Sequence, residues 1–279
     1  MPKGKLFDKV SSLLSEAGLG LSQNGRNYRP KCADVEIEVK VLKPQNIPKL
    51  VELGSQDIAF TGYDWIVEEG AEVTELLDTV FDPVKIVAAV PATTQPESLQ
   101  GRRITVASEY ENLTKKFLSS KGLDFVFIRS FGATESFVPE DADMIVDNSS
   151  SGTTLKENGL ATYAEILSSS TRLVANKDSL QDPLKAQKIA DVLLLLQSVL
   201  EARKRLLIEM NVPENRLEAI MPALPCMKAP TVSKLYGQSG EGYAVKTAVL
   251  KADVPSLIPK LKALGATDIL VYSLRQVII

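Results

Sequence analysis

Apolar residues recur at helical spacing from the start of the chain. Leu6, Val10, Leu13, Leu14 and Ala17 share one face between Gly4 and Gly18, which predicts a first helix closed by Gly18. Short apolar runs and helical periods then alternate. Strands are expected over 35–42, 58–60, 85–90, 104–107, 125–129 and 144–146. Helices are expected over 47–54, 63–69 and 113–121, with another opening at Leu155. A strand-like run follows at 171–175, and 183–205 carries a long helical period through Leu184, Ala190, Leu193, Leu194, Gln197 and Leu200. Alternation of this kind predicts an α/β architecture, with parallel sheets covered by helices.

The pattern changes beyond the long helix. It reads as a strand over 206–212, a helix over 214–221, a strand over 231–236, a hairpin turn from Gly237 to Gly242 and a strand over 243–250. A helix over 255–264, ended by Gly265, and a strand over 268–274 complete the order β-α-β-β-α-β. That order is the ferredoxin-like unit, and it sets an expected module boundary near residue 204.

Composition narrows the function. With 279 residues, 44% of them hydrophobic and 24% charged, the chain is long enough for two or three packed modules. Its longest apolar stretch, around 192–196, falls far short of the roughly 20 residues of a bilayer span, so no membrane segment is expected. The amphipathic start shows no apolar signal region, so a cytoplasmic location is expected. Cys32 and Cys226 are far apart and form no C-x-x-C, so ordinary thiols are expected rather than a disulfide or a zinc site. A net charge of −3 gives no electrostatic reason for nucleic-acid binding. The chain has no histidine, which removes imidazole bases, histidine-activated nucleophiles and histidine-ligated metals. Chemistry must rest on carboxylates, hydroxyls, lysines, arginines and backbone dipoles.

The strongest local signal is Asp143-Met-Ile-Val-Asp147-Asn148-Ser149-Ser150-Ser151-Gly152-Thr153-Thr154-Leu155, an apolar strand feeding a small hydroxylated loop that opens a helix. Backbone N–H groups and hydroxyls converging in such a loop suit a terminal phosphate. Asp147, at the strand's carboxyl end, suits a vicinal diol such as the ribose 2′ and 3′ hydroxyls. The same loop also reads as an N-cap rich in Ser and Thr, and the loop alone leaves both readings open. No G-x-x-x-x-G-K-[ST] occurs, and Gly18-Leu19-Gly20 lacks the third glycine of a dinucleotide fingerprint. The paired acids of type I phosphoribosyltransferases are missing too, since Asn148 follows Asp147.

Residues 147–155, followed by Lys156-Glu157-Asn158-Gly159-Leu160, resemble the phosphoribosyl pyrophosphate signature of ATP phosphoribosyltransferases of the long form. Pro2-Lys3-Gly4-Lys5-Leu6, Thr61-Gly62-Tyr63-Asp64, Ala107-Ser108-Glu109-Tyr110-Glu111-Asn112-Leu113-Thr114 and Gly132-Ala133-Thr134-Glu135 match the same family in order. Met221-Pro222 and Pro230-Thr231-Val232-Ser233 match in the last module, so the resemblance spans the chain. It implies two α/β domains like a type II periplasmic binding protein, joined by crossings near 82 and 168, plus the ferredoxin-like regulatory domain. The implied division is 1–82 with 169–204, then 83–168, then 205–279.

The implied reaction displaces pyrophosphate from phosphoribosyl pyrophosphate by N1 of ATP, with Mg²⁺ on the diphosphate. By motif match, Asp147 takes the ribose diol and Ser150 to Thr154 take the 5-phosphate, within a site of Asp147, Asn148, Ser149, Ser150, Ser151, Gly152, Thr153 and Thr154. Lys3 and Lys5 are candidates for diphosphate or triphosphate oxygens, Tyr110 for packing on or bonding near ATP, and Glu135 for orienting a ribose or a metal-bound water. Histidine as inhibitor, a dimer-to-hexamer homo-oligomer and no separate regulatory subunit are implied as well, with Thr231 and Asp268 as places to look for the effector. Two departures stand out. Family members carry a short apolar strand before Pro2, where only Met1 is present, so the first domain is expected to lack a central strand; and Lys5 stands where Arg is common. A two-lobed solute-binding protein would share the fold but needs an export signal. A sensor built on the last module would not need the phosphate loop.

Overall fold

The first apolar face becomes α1 (Lys5–Glu16), which buries Val10, Leu13 and Leu14. It stops at Gly18, whose φ of +83° lets the Leu19 N–H turn back to Leu14 O at 2.8 Å. The computed structural model describes residues 1–22, 28–236 and 242–279. The chain divides into two compact units, Met1–Ser11 with Leu21–Ala190, and Ser12–Gly20 with Asp191–Ile279.

In the first unit, the two-residue strands β1 (Leu21–Ser22) and β2 (Lys31–Cys32) pair antiparallel. The strand expected over 35–42 does not form as a ladder. It gives isolated bridges, Glu38 to Lys31 and Leu42 to Pro2. Its backbone partner at one end is Met1 to Lys3: the Met1 ammonium donates to Lys40 O at 2.9 Å and the Lys3 N–H to Leu42 O at 2.8 Å. Val35 sits in the turn between Lys31 and Glu38, where the Ile37 N–H donates to Asp34 O at 3.2 Å, and stays 94% exposed despite the alternation. Burial holds the Met1 ammonium down at about 6.

Two mixed α/β lobes follow. The elements are α2 (Ile47–Glu52), β3 (Ile58–Gly62), α3 (Tyr63–Glu69) and β4 (Thr74–Asp78), then β5 (Val84–Pro91), β6 (Arg103–Ser108), α4 (Glu111–Ser120), β7 (Asp124–Arg129), β8 (Met144–Ser149), α5 (Thr153–Glu157) and β9 (Leu160–Ser169). Then come β10 (Thr171–Ala175) and α6 (Pro183–Lys204). One lobe holds the sheet β3-β10-β4, the other the sheet β7-β6-β8-β5-β9. The expectation of parallel sheets holds only in part. β6 runs parallel to β7 and β8, whereas β5 is antiparallel to both its neighbours and the smaller sheet is antiparallel throughout. The chain enters the larger sheet by β5 and leaves it by the neighbouring β9, and a strand pair that enters and returns together must run antiparallel.

Both faces of the larger sheet are covered. On β5, Ile86, Ala88 and Val90 enter one core while Val87 and Ala89 enter the other; on β8, Met144 and Val146 alternate with Ile145 in the same way. Continuous apolar runs are what a strand buried on both faces requires. Each fully buried Ile or Leu here stabilises by roughly 1.5–3 kcal/mol. The smaller lobe packs around Ile47, Val51, Ala59, Ile66 and Val174.

β4 and β9 were not expected from the pattern. β4 alternates weakly because acids flank its two leucines, and β9 pairs with β5 through two register shifts that break its period of two.

The second unit contains β11 (Arg205–Pro213), α7 (Leu217–Ile220), β12 (Thr231–Lys234), β13 (Gly242–Leu250), α8 (Val254–Ala263) and β14 (Thr267–Ser273). Their antiparallel order, β12-β13-β11-β14, is that of the expected ferredoxin-like unit. Ile208, Met210 and Val212 alternate into its core with Val245, Val249, Leu257 and Leu261. The helix expected over 214–221 is one α turn between two 3-10 turns, with Pro213 before it and Pro222 after it. Residues 237–241 of the expected hairpin turn lie outside the described residues. Among the described residues no helix is long and apolar enough to cross a membrane, and Cys32 and Cys226, both half-buried, are not joined in a disulfide.

Candidate active site

β8 carries its alternation past the core. Ile145 and Asp147 share a face, so the side chain that would follow Ile145 into the core instead emerges at the strand's carboxyl end as a carboxylate. Gly152 then turns the chain with φ +72° and ψ 4°, a left-handed conformation that glycine adopts without steric cost. The helix beyond it is shorter than the sequence implies. α5 has five residues and ends ahead of Gly159 at φ +68°, so its dipole adds little, and binding capacity rests on hydroxyls and loop N–H groups.

A cleft of about 340 Å³ opens over this loop. Asp147, Asn148, Ser149, Ser150, Ser151, Gly152, Thr154 and Leu155 line one side, Glu109, Gly132, Ala133, Thr134 and Glu135 the other. The opposite wall turns at Ala133, a non-glycine residue with φ +50°, and Ser130 Oγ and Thr134 Oγ1 brace it at 2.9 Å. Within the loop, Ser151 Oγ and Thr153 Oγ1 lie 2.8 Å apart. The Asn148 N–H donates to Asp147 Oδ1 at 2.6 Å, and its side-chain amide donates to the same oxygen at 3.1 Å.

Asp147 is held at about 6, well above an ordinary aspartate. Burial is the main cause, offset by the Asn148 N–H and aggravated by the charge of Glu135 and, less, Glu109; the Thr134 hydroxyl lowers it. Among the described residues lining the cleft, none is Lys or Arg. The site is therefore rich in acceptors and hydroxyls, and electrically negative.

The structure brings together Asp147 to Thr154 and Glu135, as the motifs place them, although Thr153 stands behind the lining with its hydroxyl on Ser151. It does not bring Lys3, Lys5 or Tyr110 to the lining. Lys3 and Lys5 are exposed, with the Lys3 amine donating to Tyr28 Oη at 3.3 Å. Tyr110 is 2% exposed, stacks on Trp65 with centroids 4.6 Å apart, and donates its hydroxyl to Asp64 Oδ2 at 2.8 Å. Burial and the Asp64 carboxylate raise the phenol's pKa, so it stays a donor. Thr231 and Asp268 lie on opposite edge strands of the second unit's sheet, β12 and β14. Three strand spacings put these edges roughly 14 Å apart. Asp268 has φ +48° and accepts from Asn211 Nδ2 at 2.9 Å.

Glu109 and Thr134 were not singled out by sequence, yet both lie inside segments that match the family. Gln45 was not marked at all. It donates to Glu109 Oε2 at 3.3 Å from the other lobe, a contact 64 residues away that no local pattern encodes.

Comparisons with known proteins agree with the motifs. The profile described as ATP phosphoribosyltransferase (HisG) matches residues 43–198, and that described as HisG, C-terminal domain, matches residues 202–276. The chain is 40% identical to the ATP phosphoribosyltransferase of Pelotomaculum thermopropionicum and 38% identical to that of Desulforudis audaxviator, in each case over all of this chain and 98% of the relative. Among solved structures, the ATP phosphoribosyl transferase (HisG:HisZ) complex from Thermotoga maritima superposes with a TM-score of 0.65 at 27% identity, covering 72% of this chain and 96% of that one. With catalytic and C-terminal profiles matched in succession and whole-length relatives at this identity, the chain belongs to the long form of the ATP phosphoribosyltransferase family, enzymes of histidine biosynthesis.

Proposed function

We propose that the cleft binds phosphoribosyl pyrophosphate and that the enzyme transfers its phosphoribosyl group to N1 of ATP, giving N1-(5-phosphoribosyl)-ATP and pyrophosphate. One observation carries the reading: a carboxylate at a strand end beside a hydroxyl loop whose glycine lies in the left-handed region, all lining one cleft. Asp147 accepts the ribose 2′ and 3′ hydroxyls, and Ser150 to Thr154 donate to the 5-phosphate. At Gly152 a built Cβ meets nothing within 4 Å, so the space above the loop is open to the phosphate.

The adenine N1 lone pair forms the new bond to ribose C1 while the C1–oxygen bond breaks and its electrons leave on the diphosphate. A proton later leaves the exocyclic amine. N1 is unprotonated at neutral pH, so a chain without histidine lacks nothing essential; its task is alignment and charge stabilisation. The residues fit Mg²⁺ only as a passenger. Among the described residues no group of three His, Cys, Asp or Glu could hold it, whereas Glu109, Glu135 and Asp147 suit the one or two carboxylates that Mg²⁺ takes beside substrate phosphates and water. Bound there, it would supply positive charge to the departing diphosphate.

We further propose a cytoplasmic homo-oligomer, from dimer to hexamer, that needs no separate regulatory subunit and is inhibited by histidine through 205–279, with catalytic lobes 1–82 with 169–204 and 83–168. Lys3, Lys5 and Glu135 remain the proposed contacts to substrate phosphates and ribose, and Thr231 and Asp268 two separate places to seek the effector. The test is calorimetric binding of phosphoribosyl pyrophosphate and ATP with pyrophosphate release as readout. A wild-type chain that binds phosphoribosyl pyrophosphate but releases no pyrophosphate with ATP refutes the assignment.

A further inference from the structure

Every residue lining the cleft, from Glu109 to Leu155, belongs to the lobe of the larger sheet. The smaller lobe reaches that lobe through α3. Tyr63 and Ile66 pack in the smaller lobe's core, while Trp65 and Val67 pack against the core of the larger one. One seven-residue helix is thus shared by two cores.

Two of its three acidic side chains are buried, Asp64 at 5% and Glu68 at 3% exposure, and their partners are neutral donors reached across the junction. Asp64 Oδ1 accepts from Ser169 Oγ at 2.6 Å, and Asp64 Oδ2 from Tyr110 Oη at 2.8 Å; Ser169 Oγ in turn accepts the Asp64 N–H at 3.0 Å. Glu68 accepts the Asn112 and Leu113 N–H groups, one on each oxygen, both at 2.9 Å. Asn112 Nδ2 adds a bond to Glu68 O at 2.8 Å. Those two N–H groups belong to the first turn of α4, where helices have unsatisfied donors, and the N-cap residue Tyr110 supplies no side-chain cap of its own. Glu68 therefore caps a helix of the other lobe. Burying two carboxylates costs more than an apolar seam of the same size, but oriented acceptors fix an angle where apolar packing tolerates sliding. The capped segment also holds Glu109, at the cleft's edge, which takes the Gln45 amide from the smaller lobe.

We propose that Asp64 and Glu68 are positioning residues that touch neither substrate and set the angle between the lobes, and with it the alignment of ATP against a phosphoribosyl group held wholly by the larger lobe. This rests on the reading of the cleft as the phosphoribosyl pyrophosphate site.

The full-length chain carries its own reporter. Trp65, its single tryptophan, stacks on Tyr110 at the junction with an interplanar angle of 25°. Glu68→Ala, Glu68→Gln and Asp64→Asn are compared with the wild type for phosphoribosyl pyrophosphate affinity by calorimetry, for kcat in pyrophosphate release, and for Trp65 emission. Glu68→Ala and Asp64→Asn should lower kcat by about tenfold or more. Binding of phosphoribosyl pyrophosphate should stay within about threefold of the wild type, and Trp65 emission should shift. Glu68→Gln keeps one acceptor oxygen and should fall between the wild type and the alanine variant in both kcat and emission. If the alanine variant does not fold, the two isosteric variants decide. Wild-type kcat in folded variants, or affinity lost in step with kcat, overturns the proposal. A wild type that does not bind phosphoribosyl pyrophosphate at all overturns the cleft reading and this inference together, whereas intact binding with unchanged kcat overturns this inference alone.

Discussion

Asp147→Asn should make the protein more stable and less active at neutral pH. The substitution is nearly isosteric and removes one charge from a half-buried position facing Glu135 and Glu109. Those surroundings hold the carboxyl at about 6 against 3.8 in an unfolded chain. At about 1.4 kcal/mol per pH unit, keeping Asp147 ionised costs the native state about 3 kcal/mol at pH 7, an order-of-magnitude figure. The sign follows from proton binding. Between about pH 4 and 6 the native state holds more protons than the unfolded one, so this residue's contribution is fully present below 3.8 and is lost as pH rises through about 6. Asparagine has no such titration. The variant's advantage should be near zero at pH 4, about half developed at pH 5, and roughly 1–3 kcal/mol above pH 7, the lower end allowing for the amide's own desolvation.

The assay is denaturant or thermal unfolding of both proteins between pH 4 and 8 without ligand, beside pyrophosphate release near neutral pH. Turnover should fall roughly 10²-fold, because an amide oxygen is a weaker acceptor for two ribose hydroxyls than a carboxylate. For the wild type, phosphoribosyl pyrophosphate affinity should weaken as pH falls through about 6, where the acceptor is neutralised. An advantage equally large at pH 4 would show that charge is not its source. A stabilised variant with full turnover would sever Asp147 from the ribose.

Three further outcomes are expected. Gly152→Val should weaken phosphoribosyl pyrophosphate binding at least about tenfold while costing the free protein only the strain of φ +72°, about 1–3 kcal/mol, since the site above it is open; calorimetry on the folded variant checks this. Val80 is 66% exposed with φ +58°, and Asn tolerates that region better than a β-branched residue, so Val80→Asn should raise stability by about 0.5–1 kcal/mol in urea unfolding; a loss refutes the strain. Ending the chain at Lys204 should leave pyrophosphate release and abolish its inhibition by histidine, because the core around Ile208, Val245 and Leu261 is removed whole. An active truncated chain that is still inhibited would put the effector site elsewhere.

What was legible in the sequence was what a local period or a strong punctuator encodes. The helix expected over 63–69 forms at those limits, and Gly18 and Gly265 close helices with φ +83° and +101°. The strand leading to Asp147 was legible for the same reason, as an apolar run feeding a small hydroxylated loop. The misses share a cause as well. β9 hides its period behind two bulges, β4 has too few apolar residues, and 35–42 alternates but makes only isolated bridges, to Lys31 and Pro2, among the described residues. Strand direction was misjudged because it depends on which lobe the chain has just left. Tyr110 is a candidate by motif for packing on or bonding near ATP, and its 2% exposure is set by Trp65 and Asp64, 45 and 46 residues away in sequence, which no local pattern encodes.

The cleft's charge sharpens the mechanism more than any single residue does. Its lining holds Glu109, Glu135 and Asp147 and, among the described residues, no basic side chain, yet the proposed substrate is a polyanion. Bare phosphates brought against three carboxylates would be repelled; burial is the main cause of Asp147's raised pKa, and the charges of Glu135 and Glu109 add to it. Hydroxyls and loop N–H groups compensate at the 5-phosphate end, where Ser150 to Thr154 cluster, but not at Glu109 and Glu135. The diphosphate must therefore arrive with its charge already masked by a divalent cation, or meet Lys3 and Lys5 from the smaller lobe. Lys3, now resting on Tyr28, is exposed and could leave that contact at little cost. These routes differ in one observable. A cation-masked diphosphate makes affinity depend steeply on free Mg²⁺ in the wild type and in Lys3→Ala alike, whereas a lysine contact makes the substitution itself weaken binding at saturating Mg²⁺. Calorimetric titration of phosphoribosyl pyrophosphate at several Mg²⁺ concentrations separates them, and the acid-lined wall leads us to expect the first. Affinity independent of Mg²⁺ would mean that the carboxylates do not face the diphosphate at all.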